Sequence, residues 1–251
     1  MHRLLVETEL LENDSPVLPT DAAKHLKVLR PKDGEPIELF DGKGKWREYE
    51  FRASALHATS QTSQTSQTSR TLTLFACVTK GSRWDWTIEK ATELGVSRIV
   101  PVISDRTIVR IPKAERAAKR ERWMRIAEDA ARQSDAKWLP EICEAVDFKD
   151  ALPLVKETTC FIGALTNPPA SPLMEAIGRA RCPQRAAGSR GVEDNAPYRH
   201  FSVFIGPEGD FTPEELAALM EIATPTSFGP TILRAETAAI FAVSVLAAAV
   251  N

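Results

Sequence analysis

The pattern of apolar and polar positions changes character near residue 71. Before it, runs such as Pro36-Ile37-Glu38-Leu39-Phe40 and Tyr49-Glu50-Phe51-Arg52-Ala53 alternate with the two-residue period of half-buried strands. Asp41-Gly42-Lys43-Gly44 lies between them and predicts a hairpin, because glycine accepts the positive φ that such turns demand. One short helix is predicted over Asp21–Leu29, capped by Thr20 or Asp21 and ended by Pro31. Together these elements read as a small barrel-like module. Within residues 57–70, Thr-Ser-Gln triplets run from Thr59 to Gln67 and end in Thr68-Ser69-Arg70. That segment has no apolar side chain to bury and predicts a mobile loop.

From about residue 72 the pattern becomes an alternation of strands and helices. Strands are predicted at Thr71–Val78, Arg98–Ile103, Leu139–Cys143, Thr159–Leu165 and Phe201–Ile205. Between and after them, helices are predicted at Trp84–Leu94, Lys113–Gln133, Phe148–Lys156, Pro172–Arg181, Pro213–Ile222 and Glu236–Ala249. Such alternation points to an α/β domain with a mainly parallel sheet. Residues 182–198 turn to Pro, Gly, Arg and Asn and read as a surface excursion inside this second domain. The expected division is therefore 1–71 and 72–251.

Composition narrows the class without naming a function. With 251 residues, 43% hydrophobic and 26% charged, the chain is expected to fold as one large or two modest domains. Its most apolar stretch, Ala235–Val250, is interrupted by Glu236, Thr237 and Ser244 and falls short of the roughly 20 residues of a membrane span. Met1–Glu7 has no apolar core of signal-peptide length, so a cytoplasmic protein is expected. Cys77, Cys143, Cys160 and Cys182 lie far apart with no C-x-x-C pair, which argues for reduced thiols and against a metal site. Charge is unevenly spread. Residues 106–137 carry ten Lys/Arg against five acids, whereas 201–251 carry six acids against the single base Arg234. This polarity suits a protein that meets a polyanion on one face, and equally a solvated helix surface.

Candidate chemistry sits where ligands bind open parallel sheets, beyond the carboxyl ends of the strands. The loop Gly206-Pro207-Glu208-Gly209-Asp210-Phe211 follows a strand and leads into Thr212-Pro213-Glu214-Glu215, which has the form of a helix cap. The cap explains Thr212–Glu215 and leaves Pro207-Glu208 between two glycines unexplained. A second loop, Phe228–Ala238, brings Arg234 and Glu236 to the start of an apolar helix. Arginine is electrostatically disfavoured at a helix N-terminus, so Arg234 calls for a partner or ligand. Glu236 suits that end on structural grounds alone.

With these loops the sequence resembles the RsmE family of 16S ribosomal RNA uridine-N3 methyltransferases of the SPOUT class. The resemblance rests on ordered segments. They are His25-Leu26-Lys27-Val28-Leu29-Arg30 with Phe40–Gly44, Lys80-Gly81, Glu89–Val96, Ile99-Val100-Pro101, Ala130–Ser134 with Pro140-Glu141, Ile205–Phe211 and Phe228–Ala238. No G-x-G-x-x-G sequence competes with it. Two departures stand out. The family's usual Gln-Ser-Gly-Arg is here Gln133-Ser134-Asp135-Ala136, and its Gly-Pro-Glu-Gly-Gly ends here in Asp210.

The resemblance implies an N-terminal PUA-like β-barrel that binds RNA and a C-terminal α/β SPOUT domain with a trefoil knot. It further implies S-adenosylmethionine as methyl donor, 16S rRNA of the 30S subunit as substrate, and a homodimer. Donor contacts would come from Leu165, Thr166, Ile205, Gly206, Pro207, Glu208, Gly209, Phe228, Gly229, Ile232, Leu233, Thr237 and Ala238. Catalytic roles would fall to Arg234, Glu208 and Glu236, and RNA contacts to His25, Arg30, Lys80, Arg106, Arg110, Arg132, Gln133 and Lys137. Another SPOUT-class RNA methylation and an inactive RNA-binding relative remain as alternatives. Independently of the resemblance, the final helix is apolar on almost every face, from Ala239 to Val250, and is expected to be buried on all sides, between subunits rather than in one large core.

Overall fold

The computed structural model describes residues 1–66, 71–155, 158–164, 170–181 and 200–250. The chain forms two compact units, Met1–Gln67 with Ala127–Leu139, and Thr68–Ile126 with Pro140–Asn251.

In the first unit, β1 (His2–Leu5) runs parallel to β2 (Glu35–Phe40), and helix α1 (Thr20–Leu29) lies between them in sequence. Strand β2 turns through Asp41–Gly44 into β3 (Lys45–Arg52), giving the expected hairpin, and β4 (Ala55–Ala58) pairs with the far end of β3. The Asp41 carboxylate shapes the turn by accepting the backbone N–H groups of Lys43 and Lys45. Leu4, Leu11, Ile37, Leu39, Tyr49 and Leu56 form the core of this unit.

The Thr-Ser-Gln segment departs from the expected mobile loop. Ser63–Gln64 form β5, paired antiparallel to Lys45 and Trp46, and the Thr62 hydroxyl donates to the Leu11 carbonyl at 2.9 Å. Short hydroxyl side chains meet the polar edge of a strand without any apolar burial, which composition alone does not reveal. The end of the segment, residues 67–70, lies outside the described residues, as do 182–199.

A buried ion network ties this unit together. Arg3 Nε donates to Glu38 Oε1 at 2.7 Å, and Lys137 Nζ reaches both oxygens of the same carboxylate at 2.5 and 2.6 Å. Arg3 also donates to the carbonyls of Ala131 and Ala136, and its guanidinium lies 4.2 Å from the Phe40 ring centroid. Removing one member of such a network strands the others in low dielectric. Glu38→Ala is expected to destabilise this unit by about 3–5 kcal/mol, read as a shift of its urea-unfolding midpoint. A loss below about 1 kcal/mol would show that water replaces the carboxylate freely.

The second unit is built on a parallel sheet. Its elements are β6 (Thr71–Cys77), α2 (Ser82–Glu93), β7 (Arg98–Ile103), α3 (Lys113–Gln133), β8 (Glu141–Ile142), β9 (Val146–Asp147) and α4 (Phe148–Ala151). They continue as β10 (Thr159–Gly163), α5 (Leu173–Arg181), β11 (His200–Ile205), α6 (Pro213–Met220), β12 (Thr224–Thr226) and α7 (Ala235–Val250). The strand order is β12-β10-β11-β6-β7-β8, with β9 also on β7, and every pairing is parallel. Helix α3 belongs to this unit as far as Ile126 and to the first from Ala127.

Phe75, Cys77, Val100, Val102, Cys160, Ile162 and Phe204 share one sheet face with Phe148, Phe211 and Leu219. Phe75 and Phe204 are register partners whose rings stack at 4.4 Å. Each ring fully withdrawn from water contributes roughly 1.5–3 kcal/mol. Helix α7 packs on α2, α5, β6 and β11.

Several elements depart from the sequence reading, among them β9, which it did not contain, and β8, which is shorter than the expected Leu139–Cys143. The helix expected over Phe148–Lys156 stops at Ala151 and continues as a 3-10 turn over Leu152–Leu154, where Pro153 supplies no N–H. Strand β12 is Thr-Pro-Thr at the sheet edge, a position that tolerates proline. Helix α7, expected to be buried between subunits, leaves one face open among the described residues. Ala239, Ala242, Val243 and Leu246 are buried, whereas Phe241 keeps 38% of its surface open beside exposed Ser244 and Ala248.

Two aspartates in the loops singled out above fall at left-handed backbone. Asp135 and Asp210 each have φ of 60°, a region glycine enters freely and aspartate enters more readily than most residues.

Candidate active site

A cavity of about 330 Å³ opens at the carboxyl ends of β10, β11 and β12, within the usual size range of small-molecule sites. Gly163 and Ala164 contribute from the end of β10, and Ile205, Gly206, Pro207, Glu208 and Asp210 from the loop after β11. Thr226–Gly229 and Thr231–Leu233 form a third wall, completed by Arg234, Ala235 and Ala238 at the start of α7. Three loops thus converge beyond the carboxyl ends of three neighbouring parallel strands.

Local chemistry fixes each loop. Thr212 Oγ1 accepts the Glu215 N–H at 3.2 Å while Glu215 accepts the Thr212 N–H at 3.0 Å, a closed capping box that anchors the exit of the β11 loop. The other Glu215 oxygen accepts the Asp105 N–H at 2.9 Å. Asp210 Oδ1 accepts the N–H of Phe211, whose ring packs against Phe148 at 5.6 Å. Gly163 is a glycine because a Cβ there would lie 2.4 Å from the Phe228 ring. Phe228 in turn packs against Phe241 of α7.

Of the expected donor contacts, Ile205, Gly206, Pro207, Glu208, Phe228, Gly229, Ile232, Leu233 and Ala238 line the cavity. Gly209 and Thr237 are absent from its described wall. Leu165 and Thr166 lie outside the described residues. Arg234 and Glu208 line the cavity, whereas Glu236 stands behind it. Arg234 is exposed, and its side chain makes no ion pair or hydrogen bond among the described residues.

Sequence reasoning missed Gly163, Thr226 and Ser227 on the wall and, behind it, Arg83. Arg83 lies in the first turn of α2, with Nη1 3.5 Å from Glu208 Oε1 and Nε 3.7 Å from Glu236 Oε1. Glu236 Oε2 is buried without a hydrogen-bond partner among the described residues. An arginine in a first helical turn is the signal that marked Arg234, and it applies equally to Arg83.

The basic segment 106–137 is largely consumed by internal contacts. Arg106 donates to the carbonyls of Gly209 and Phe211, and Arg110 to those of Ser104 and Asp105. Arg116 pairs with Asp147, Arg122 with Asp85, Arg132 with Asp129 and Lys137 with Glu38, while Arg120 donates to the Ile142 carbonyl. Lys113, Lys119 and Arg125 alone of the ten make no such side-chain contact among the described residues. Lys137 and Arg132 thus already have internal partners.

Arg30, Lys80 and Gln133 are exposed. His25 is half-buried, and burial together with the charge of Arg132 holds its imidazole below the usual range, so it is neutral at pH 7 and offers hydrogen bonds without charge. Burial pushes the Cys77 thiol up to about 11 and Cys160 up to about 12, so neither is a nucleophile. Among the described residues no three His, Cys, Asp or Glu side chains cluster as metal ligands, and no helix is long and apolar enough to cross a membrane.

Residues 66–247 match the family of RNA methyltransferase domains, and residues 18–55 match the RNA methyltransferase PUA domain. The ribosomal RNA small subunit methyltransferase E of Synechocystis is 30% identical over 94% of this chain and 74% of its own length. Its counterpart in Rickettsia conorii is 27% identical over 97% of this chain and 93% of its own. Among solved structures, the Neisseria gonorrhoeae methyltransferase E bound to S-adenosyl methionine superposes with a TM-score of 0.77 at 29% identity, covering 99% of this chain and 98% of that one. A match over most of the chain, in both units and in the right order, establishes that this protein belongs to the ribosomal RNA small subunit methyltransferase E family of RNA methyltransferases.

Proposed function

We propose that this enzyme transfers a methyl group from S-adenosylmethionine to N3 of one uridine in the 16S rRNA of the small ribosomal subunit. The observation that carries this reading is the cavity with Arg234 on its wall, an arginine with no partner among the described residues. The donor suits the lining. Ile205, Phe228 and Leu233 offer apolar surface to a purine ring, and Gly163, Ala164 and Gly206 leave backbone groups within reach. Glu208 and Asp210 add negative charge for a sulfonium cation. When bound, the donor supplies an electrophilic methyl carbon.

The chain's own groups handle the uracil. N3 carries a proton that must leave before or during attack, and Glu208 or Glu236 accepts it. Arg234 stabilises the negative charge that develops on the uracil oxygens, a task suited to a guanidinium with no competing partner among the described residues. Loop positions fixed by the capping box hold donor and base in line, which matters more here than covalent catalysis.

In the proposed domain division, residues 1–71 are the RNA-binding PUA-like barrel and residues 72–251 the SPOUT domain. Insertion of β11 between β10 and β6 suits threading as a trefoil knot. RNA contacts fall to Arg30, Lys80 and Gln133 as exposed polar groups, to His25 as a neutral one, and to Arg106, Arg110, Arg132 and Lys137 only through capacity left over from their internal bonds. The protein acts in the cytoplasm, where ribosomes are assembled.

Mass mapping of 16S rRNA from a deletion strain tests the assignment. It should show loss of one methyl group on a decoding-region uridine, restored by the gene; an unchanged methylation map would refute it. The open face of α7 around Phe241 supports a symmetric homodimer. Sedimentation equilibrium at micromolar concentration should therefore give twice the chain mass. A monomer active on 30S subunits would contradict the dimer.

A further inference from the structure

Arg83 joins three elements that are distant in sequence. Its guanidinium, in the first turn of α2, faces Glu208 on the cavity wall and Glu236 in the first turn of α7. Stability does not account for it. Its side chain is 46% exposed and both pairs are longer than 3.4 Å, so they add little to folding. A cation at the positive end of α2 is moreover disfavoured there.

The two carboxylates differ in access. Glu208 lines the cavity with 31% of its side chain open, whereas Glu236 keeps 12% and lies behind the wall. Only Glu208 is placed to meet a substrate. Glu236 serves as the anchor on the far side of the guanidinium, and its Oε2 is buried with no hydrogen-bond partner among the described residues, free to take a second bond.

We propose that Arg83 is a positioning residue of the methyl-transfer site: anchored on Glu236, it holds Glu208 at the cavity wall as the group that takes the substrate proton. This rests on the methylation reading given above and names the proton acceptor that reading left open. In the step, Glu208 takes the N3 proton and becomes a carboxylic acid. The electron pair left on N3 forms the bond to the methyl carbon, and the pair of the broken S–C bond stays on sulfur, leaving a neutral thioether. As Glu208 gives up its charge, Arg83 turns to the free oxygen of Glu236. Glu208 then returns the proton to solvent.

The test is single-turnover methyl transfer to 30S subunits by the full chain and by R83M, R83K, E208Q and R83M/E208Q, with donor affinity measured by calorimetry. R83M is expected to slow transfer roughly 10²-fold, with the KM for 30S subunits and the donor Kd each within about threefold of the parent. R83K should recover part of the rate, since an ammonium meets one carboxylate at a time. The double variant should be no slower than E208Q alone, because Arg83 acts through Glu208. Multiplying losses in the double variant, or R83M within about threefold of the parent rate, would overturn the proposal while leaving the methylation reading intact. A parent chain that does not methylate 30S subunits would overturn both, and that result is read before any variant is compared.

Discussion

Arg234→Ala is expected to slow methyl transfer by about 10²–10³-fold while leaving the fold and its melting temperature unchanged. The side chain is exposed, has no partner among the described residues, and occupies the disfavoured end of a helix, so its removal disturbs no packing. The loss should appear mainly in the rate of the bound complex. An interaction made with charge that exists only in the transition state lowers kcat and kcat/KM together. Single-turnover assays at saturating donor separate this from a binding defect. Turnover close to that of the parent would remove Arg234 from the catalytic assignment.

Gly206→Val should weaken donor binding at least 100-fold, which corresponds to about 2.7 kcal/mol. A Cβ at this position would lie 3.2 Å from two carbons of the Phe211 ring and 3.3 Å from Asp210 Oδ1. Phe211 has little room to yield, because it is 4% exposed and packed against Phe148. The branched side chain therefore displaces the loop backbone, and with it the groups expected to hold the donor. Gly206→Ala, with a single added carbon in a tight but tolerable place, should fall between the two. Calorimetry decides the matter. Unchanged donor affinity in the valine variant would mean that the donor sits elsewhere.

Much of the frame was legible wherever the signal is local. The hairpin at Asp41–Gly44, the long helix Lys113–Gln133 and the capping box at Thr212–Glu215 each follow from residues within a few positions of one another. So did the two loops that supply most of the cavity wall, because glycine and proline punctuate them. What escaped depends on partners far apart in the chain. The parallel pairing of β1 with β2 is one case, and the Arg106 bond to the Gly209 carbonyl, spanning 103 positions, is another. Charge counting failed for the same reason. It registers ten cations in residues 106–137 and cannot tell that Arg116, Arg120 and Arg122 are committed to Asp147, Ile142 and Asp85. Gly163 was likewise invisible, since the ring that demands it, Phe228, comes from the loop after β12, far along the chain.

The strand order has a consequence for how the protein is made. Strand β6 lies at the middle of its sheet, yet its neighbour β11 follows it at a distance of 129 residues from Thr71 to His200. At roughly 5–20 residues per second, translation leaves that edge of β6 without its partner for on the order of ten seconds. During that interval Leu72, Leu74 and Phe75 belong to a nascent chain that cannot complete its sheet, however well its early helices form. The catalytic half must therefore finish folding after most of it has left the ribosome, and its yield in the cell should depend on chaperone capacity more than that of the N-terminal unit's local hairpins does.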